Sequence, residues 1–181
     1  LIDDDFDAAL RIISAPGLLE HESEGFPSFE FGAAANVLSF GRVAGGDFEG
    51  ARKSLMLARA HHERGAGSFV RGYTSAISGT HLLVQGRLQE ALERFRAESA
   101  LQEPLDTSFA AAARAACHIW AVYETNDLAT LEPLVTRFQR EIADSVTLDF
   151  IAVALVSISR MHQARGRTAE ALEVLEELER I

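Results

Sequence analysis

The chain has 181 residues, 48% of them hydrophobic, and a formal net charge of −10 at pH 7, enough apolar content for one extended domain with its own core. A nucleic-acid binder needs a basic face to displace counterions from phosphates, and an acidic chain whose only lysine is Lys53 argues against direct nucleic-acid contact. One cysteine, Cys117, excludes an internal disulfide, and no apolar stretch reads as a membrane span or secretory signal, so the expected compartment is the reducing cytoplasm.

Residues 1–27 come first. Asp5-Phe6-Asp7-Ala8-Ala9-Leu10 echoes Asp47-Phe48-Glu49-Gly50-Ala51 and reads as the second helix of a truncated preceding repeat. The stretch 15–27, with Pro16, Gly17, Gly25 and Pro27, reads as a surface connector. Four helical hairpins follow, over 28–66, 67–106, 107–146 and 147–181. The first opens near Ser28, turns at Gly45-Gly46-Asp47 and runs to about Arg64. The second comprises helices over 68–85 and 87–103. Pro104 ends it, and Asp106-Thr107-Ser108 offers an N-cap for the next helix. The third turns at Asn126-Asp127 and the fourth at Gly166. The chain starts at Leu1 and stops at Ile181 within a helical pattern, so it reads as a piece of a longer protein.

The turns keep one interval. Gly46, Gly86, Asn126 and Gly166 lie 40 residues apart, since 86 − 46, 126 − 86 and 166 − 126 are equal. Five residues after each stands Ala51, Ala91, Leu131 or Ala171, and nine after stands Leu55, Phe95, Val135 or Leu175. A residue that closes a helix in the left-handed region costs Gly little and Asn modestly. Leu88, Ala91, Leu92 and Phe95 form an i, i+3, i+4, i+7 stripe, and Ala171, Leu172, Leu175 and Leu178 form another, both flanked by charged residues. The first helices are less polar, as for helices buried between layers. The expected fold is all-α, a right-handed superhelical solenoid of antiparallel helix pairs that bury their faces by stacking.

At QGRLQEALERF (85–95) and ARGRTAEALEVLEEL (164–178) the pattern resembles the tetratricopeptide (TPR) repeat. That family places a small residue seven before the turn, here Ser39, Gly79 and Ser159, and alanine five after it. Ile119, Leu131 and Asn126 make the third unit the degenerate one. The common TPR period is about 34 residues. The longer period here, with G-R-x-x-E-A-L opening the second helix, is similar to the MalT-like TPR region of large bacterial LuxR-type regulators. The resemblance covers about 28–181. It implies repeats that sense an effector or inhibitory partner and support self-assembly, between an ATP-binding STAND module and a helix-turn-helix domain.

Catalytic and metal motifs are not expected. No phosphate-binding loop accompanies Lys53, and Gly41, Gly45, Gly46 and Gly50 read as turn chemistry. His61 and His62 point about 100° apart on a helix, and the other histidines share no ligand spacing. Cys117 among alanines reads as a small core side chain. No cofactor is expected either.

The expected binding surface is the concave face lined by the first helices. Outward positions six before each turn are Phe40, Thr80, Trp120 and Arg160, and three before each turn are Val43, Leu83, Tyr123 and Gln163. Tyr73 and Asn36 join them from thirteen and ten before. Aromatic anchors with a few polar groups suit a small-molecule effector or a protein partner; the bland alternative is packing between layers. A homo-oligomer is a further expectation that the resemblance implies; Leu172, Leu175 and Leu178 on the last helix would normally be covered by another repeat, so a dimer through them would reflect where the piece is cut.

Overall fold

The computed structural model describes residues 28–61, 63, 67–100, 109–141 and 148–180. Among them every regular element is a helix. They are α1 (Ser28–Ala44), α2 (Phe48–His61), α3 (Gly67–Val84), α4 (Leu88–Ala100), α5 (Phe109–Glu124), α6 (Leu128–Glu141), α7 (Leu148–Ala164) and α8 (Thr168–Arg180). The chain is all-α over this range, its helices following one another in antiparallel succession across the turns at Gly46, Gly86, Asn126 and Gly166. The truncated repeat read in 1–27 and the cap read at Asp106-Thr107-Ser108 lie outside the described residues.

Each pair closes the same way. Gly46, Gly86, Asn126 and Gly166 take φ of 78°, 72°, 57° and 73°, the left-handed conformation in which a Cβ is penalised. Their N–H groups donate to the carbonyls of Val43, Leu83, Tyr123 and Gln163 at 2.8–3.0 Å. In three turns the next N–H reaches five residues back, Asp47 to Arg42, Arg87 to Leu82 and Arg167 to His162, completing a Schellman closure. Asp47 Oδ1 then accepts from Gly50 N, and Asp127 Oδ1 from Thr130 N, capping α2 and α6.

The small residues flanking the turns hold the helices of a pair close. Ser39 Oγ donates to the Ala51 carbonyl at 3.1 Å and Ser159 Oγ to the Ala171 carbonyl at 3.0 Å, the same bond in the first and fourth pairs. In the second pair Gly79 leaves the space that the Phe95 ring fills. In the third, Ile119 and Leu131 supply bulk to the core instead.

Pairs stack in chain order. The first helices form a row in which α1 packs on α3, α3 on α5 and α5 on α7, while α2 and α4 also pack on the following first helix. A glycine fourteen before each of the first two turns lets that row close up. Val70 lies where a Cβ on Gly32 would be, and Ala110 presses on Gly72 in the same register. The core runs through the stack from Leu55 and Ile77 to Ile158 and Val174. No helix among the described residues is long and apolar enough to cross a membrane.

Candidate functional site

The first-helix row carries all eight expected site residues, and the structure sorts them into three groups. Asn36 and Thr80 are buried and bonded inside the protein. Asn36 Nδ2 donates to Thr74 Oγ1 at 2.9 Å, and Thr74 in turn donates to the Val70 carbonyl, which fixes the amide orientation. Asn36 Oδ1 remains a buried acceptor without a hydrogen-bond partner. Thr80 Oγ1 lies 3.1 Å from the Ala76 carbonyl and 3.3 Å from Cys117 Sγ, so this side chain packs between α3 and α5. Burial pushes the Cys117 thiol up to about 12, and it stays protonated at neutral pH.

Phe40 and Tyr73 are half-buried and converge on a residue that the spacing analysis passed over, Phe150. Its ring centroid lies 6.0 Å from that of Phe40 and 6.2 Å from that of Tyr73, the latter edge-on, the geometry that aromatic quadrupoles favour. Phe150 is only 5% exposed. It stands sixteen before its turn, where the second and third pairs carry the buried Val70 and Ala110. Extending the offsets by one helical turn would have found it. Because Phe150 belongs to the fourth pair and Phe40 to the first, one aromatic cluster links the two ends of the described array.

Trp120 and Tyr123 are half-buried on α5, packed by one side against the core. Trp120 Nε1 donates to Glu124 Oε1 at 3.1 Å, so an indole face, a phenol and a carboxylate share one helical stripe. Arg160 and Gln163 stand exposed on α7 at the corresponding offsets. An aromatic face beside a carboxylate attracts a cation, by the ring quadrupole and by charge.

Histidines are packed on aromatic rings: His61 on Phe31, His81 on Phe48 and His118 on Phe95, with centroids 5.4–5.7 Å apart. Among the described residues no group of three or more His, Cys, Asp or Glu is placed to hold a metal ion. Burial, aided by the nearby Arg96 and Arg114, pulls His118 from its ordinary 6.5 down to about 4. His81 and His162 are lowered too, first by burial. Between about 4 and 6.5 the unfolded chain binds a proton at His118 that the folded chain does not. Stability therefore falls as pH drops from about 6.5 towards about 4. His118→Phe keeps a ring against Phe95 and removes one titration. Urea midpoints at pH 7 and pH 5 are expected to differ less in this variant than in the parent; an unchanged difference would remove His118 from the acid response.

Comparison with family models, with curated proteins and with solved structures returned no match for this chain.

Proposed function

We propose that this chain is a non-catalytic, TPR-like sensor and interaction domain of a bacterial LuxR-type transcriptional regulator. Its helix pairs would continue as a right-handed superhelical solenoid of the MalT-like kind. An effector or partner protein binds on the inner face, and binding shifts self-association. The observation that carries this reading is the fixed 40-residue register, in which a left-handed closing residue recurs at every described turn. With it goes the Ser-to-Ala-carbonyl bond that repeats in the first and fourth pairs. Trp120, Tyr123, Arg160 and Gln163 are the residues left accessible for the ligand, with Phe40 and Tyr73 at the edge of the aromatic cluster.

A generic TPR adaptor that holds a peptide is the second reading. Trp120 beside Glu124 favours it, because that pair suits a lysine or arginine side chain.

A thermal-shift screen against small metabolites, run on the parent and on Trp120→Ala, separates the two. Ligand at a hundredfold excess over Kd adds about 2.7 kcal/mol, and for a domain of this size that raises Tm by roughly 5–10 °C. The sensor reading expects such a shift in the parent and its loss in the variant. A folded parent that responds to no metabolite but does respond to basic peptides would favour the adaptor.

A further inference from the structure

Phe150 breaks the pattern of its own register. Sixteen residues before the turn, Val70 on α3 lies against Gly32 of α1, and Ala110 on α5 lies against Gly72 of α3, each glycine standing fourteen before its turn. The same position on α7 is Phe150, and the preceding first helix carries Ala112 in the glycine's place. The ring reaches past α5 to Tyr73 on α3 and Phe40 on α1. Packing along the helices joins neighbours in the row, α1 to α3, α3 to α5 and α5 to α7, whereas α1 meets α7 through side-chain rings.

Phe40 and Trp120 both stand six before their turns and Tyr73 thirteen before, a difference of about two helical turns. The three side chains therefore leave their helices on one face. Phe150 lies in the first turn of α7, which begins at Leu148, and the N–H groups of a first turn make no intrahelical bond. A polar group accompanies the rings. Asn36 is one turn before Phe40 on α1, so the two side chains are neighbours, and Asn36 Oδ1 is fully buried with no hydrogen-bond partner. A buried acceptor left in that state gains from a donor that reaches it.

We infer that Phe40 and Tyr73 form an aromatic subsite of the inner face, filled in this structure by the chain's own Phe150, and that an incoming aromatic ring bearing a hydrogen-bond donor takes its place. This inference deepens the reading above by naming the chemistry of the ligand, and it rests on the inner face being where ligand binds. Phe150 swings out with the first turn of α7, at little loss of helical hydrogen bonding, and α7 parts from α1. The incoming ring lies edge-on to Tyr73, as Phe150 does, and its donor reaches Asn36 Oδ1. The packing between neighbouring first helices stays as it is, because ring contacts alone are exchanged. A site that its own side chain fills most of the time binds with an affinity reduced by the open fraction.

The probe is p-cresol, a ring with one hydroxyl donor, and toluene is the same ring without it. Ligand-observed NMR is expected to show p-cresol binding to the parent, and at least tenfold more tightly to Phe150→Ala. Toluene is expected to bind each protein more weakly than p-cresol does. Phe150→Leu keeps the core filled and stands in if Phe150→Ala does not fold; it too is expected to bind p-cresol more tightly than the parent. Phe40→Leu is expected to lose p-cresol binding. Spin labels on V37C and A164C, at exposed positions of α1 and α7, are expected to move apart in the parent as p-cresol saturates it; Cys117 is buried and stays unlabelled. A ring that only fills the core gives another result. In that case p-cresol binds Phe150→Ala, leaves the parent alone and moves no label, which would overturn the subsite. Toluene binding as tightly as p-cresol would overturn the contact to Asn36. N-acetyltyrosine amide separates the sources of the ring: binding of the amide with p-cresol supports a subsite for a partner's side chain, and p-cresol alone one for a small molecule. If the metabolite screen finds no effector while p-cresol displaces Phe150, the sensing reading falls and the subsite stands. An effector whose affinity is the same in the parent, Phe40→Leu and Phe150→Leu leaves that reading standing and removes the subsite.

Discussion

Phe95→Ala is expected to lower stability by about 3–5 kcal/mol, the range for emptying a buried phenylalanine site. In a domain of this size that is a fall in Tm of roughly 6–20 °C. Phe95 is fully buried on α4, stacks on His118 and fills the space above Gly79. Gly79 gives the sharper test. In an ordinary helix interior, replacing glycine by alanine gains about 1 kcal/mol. Here an alanine Cβ would fall on the Phe95 ring, and overpacking of that kind costs about 1–3 kcal/mol. Gly79→Ala is therefore expected to destabilise, against the helix-propensity trend. Combined with Phe95→Leu, which shortens the side chain, it is expected to cost less than the sum of the two changes. Strict additivity in urea or thermal melts would mean that residue 79 does not share its space with residue 95.

This pair also marks how far the sequence carries. Gly79 was identifiable as the small residue seven before the turn, and Phe95 as the apolar residue nine after it. The period therefore announced that α3 and α4 approach each other there. Helix ends were legible for a related reason, since Gly46, Gly86, Asn126 and Gly166 report a backbone conformation that few other residues accept. The inner face was less legible. One offset, six before the turn, carries half-buried Phe40, buried Thr80, half-buried Trp120 and exposed Arg160. Register fixes direction around a helix axis, but burial depends on the neighbour, and the neighbours differ between pairs. Asn36 and Thr80 read as polar groups for a ligand. Both have short side chains that reach a partner within the stack, Asn36 at Thr74 and Thr80 at its own helix carbonyl. Their burial needed the partner's position, which no single-chain pattern supplies.

Phe150 had a legible register and an illegible consequence, and its replacement is the second large effect expected. Val70 and Ala110 hold the same place in the preceding pairs, so a buried side chain there follows from the repeat. What the period does not say is that the fourth unit uses a ring there, large enough to reach both Tyr73 and Phe40. Phe150→Ala is expected to cost about 3–5 kcal/mol, and Phe150→Leu, which retains most of the apolar volume, under about 1.5 kcal/mol. The two variants separate packing from exposure. Emptying the site uncovers Phe40 and Tyr73, so Phe150→Ala is expected to bind a hydrophobic dye more strongly than the parent while still folded, whereas Phe150→Leu is not. If the cluster couples the first pair to the fourth, Phe150→Ala also loosens the first pair. Hydrogen-exchange protection of the α1 amides, far in sequence from the substitution, would then fall with that of α7. Protection lost only in α7 and α8 would show that the ring stabilises its own pair and that the two ends of the array are energetically independent.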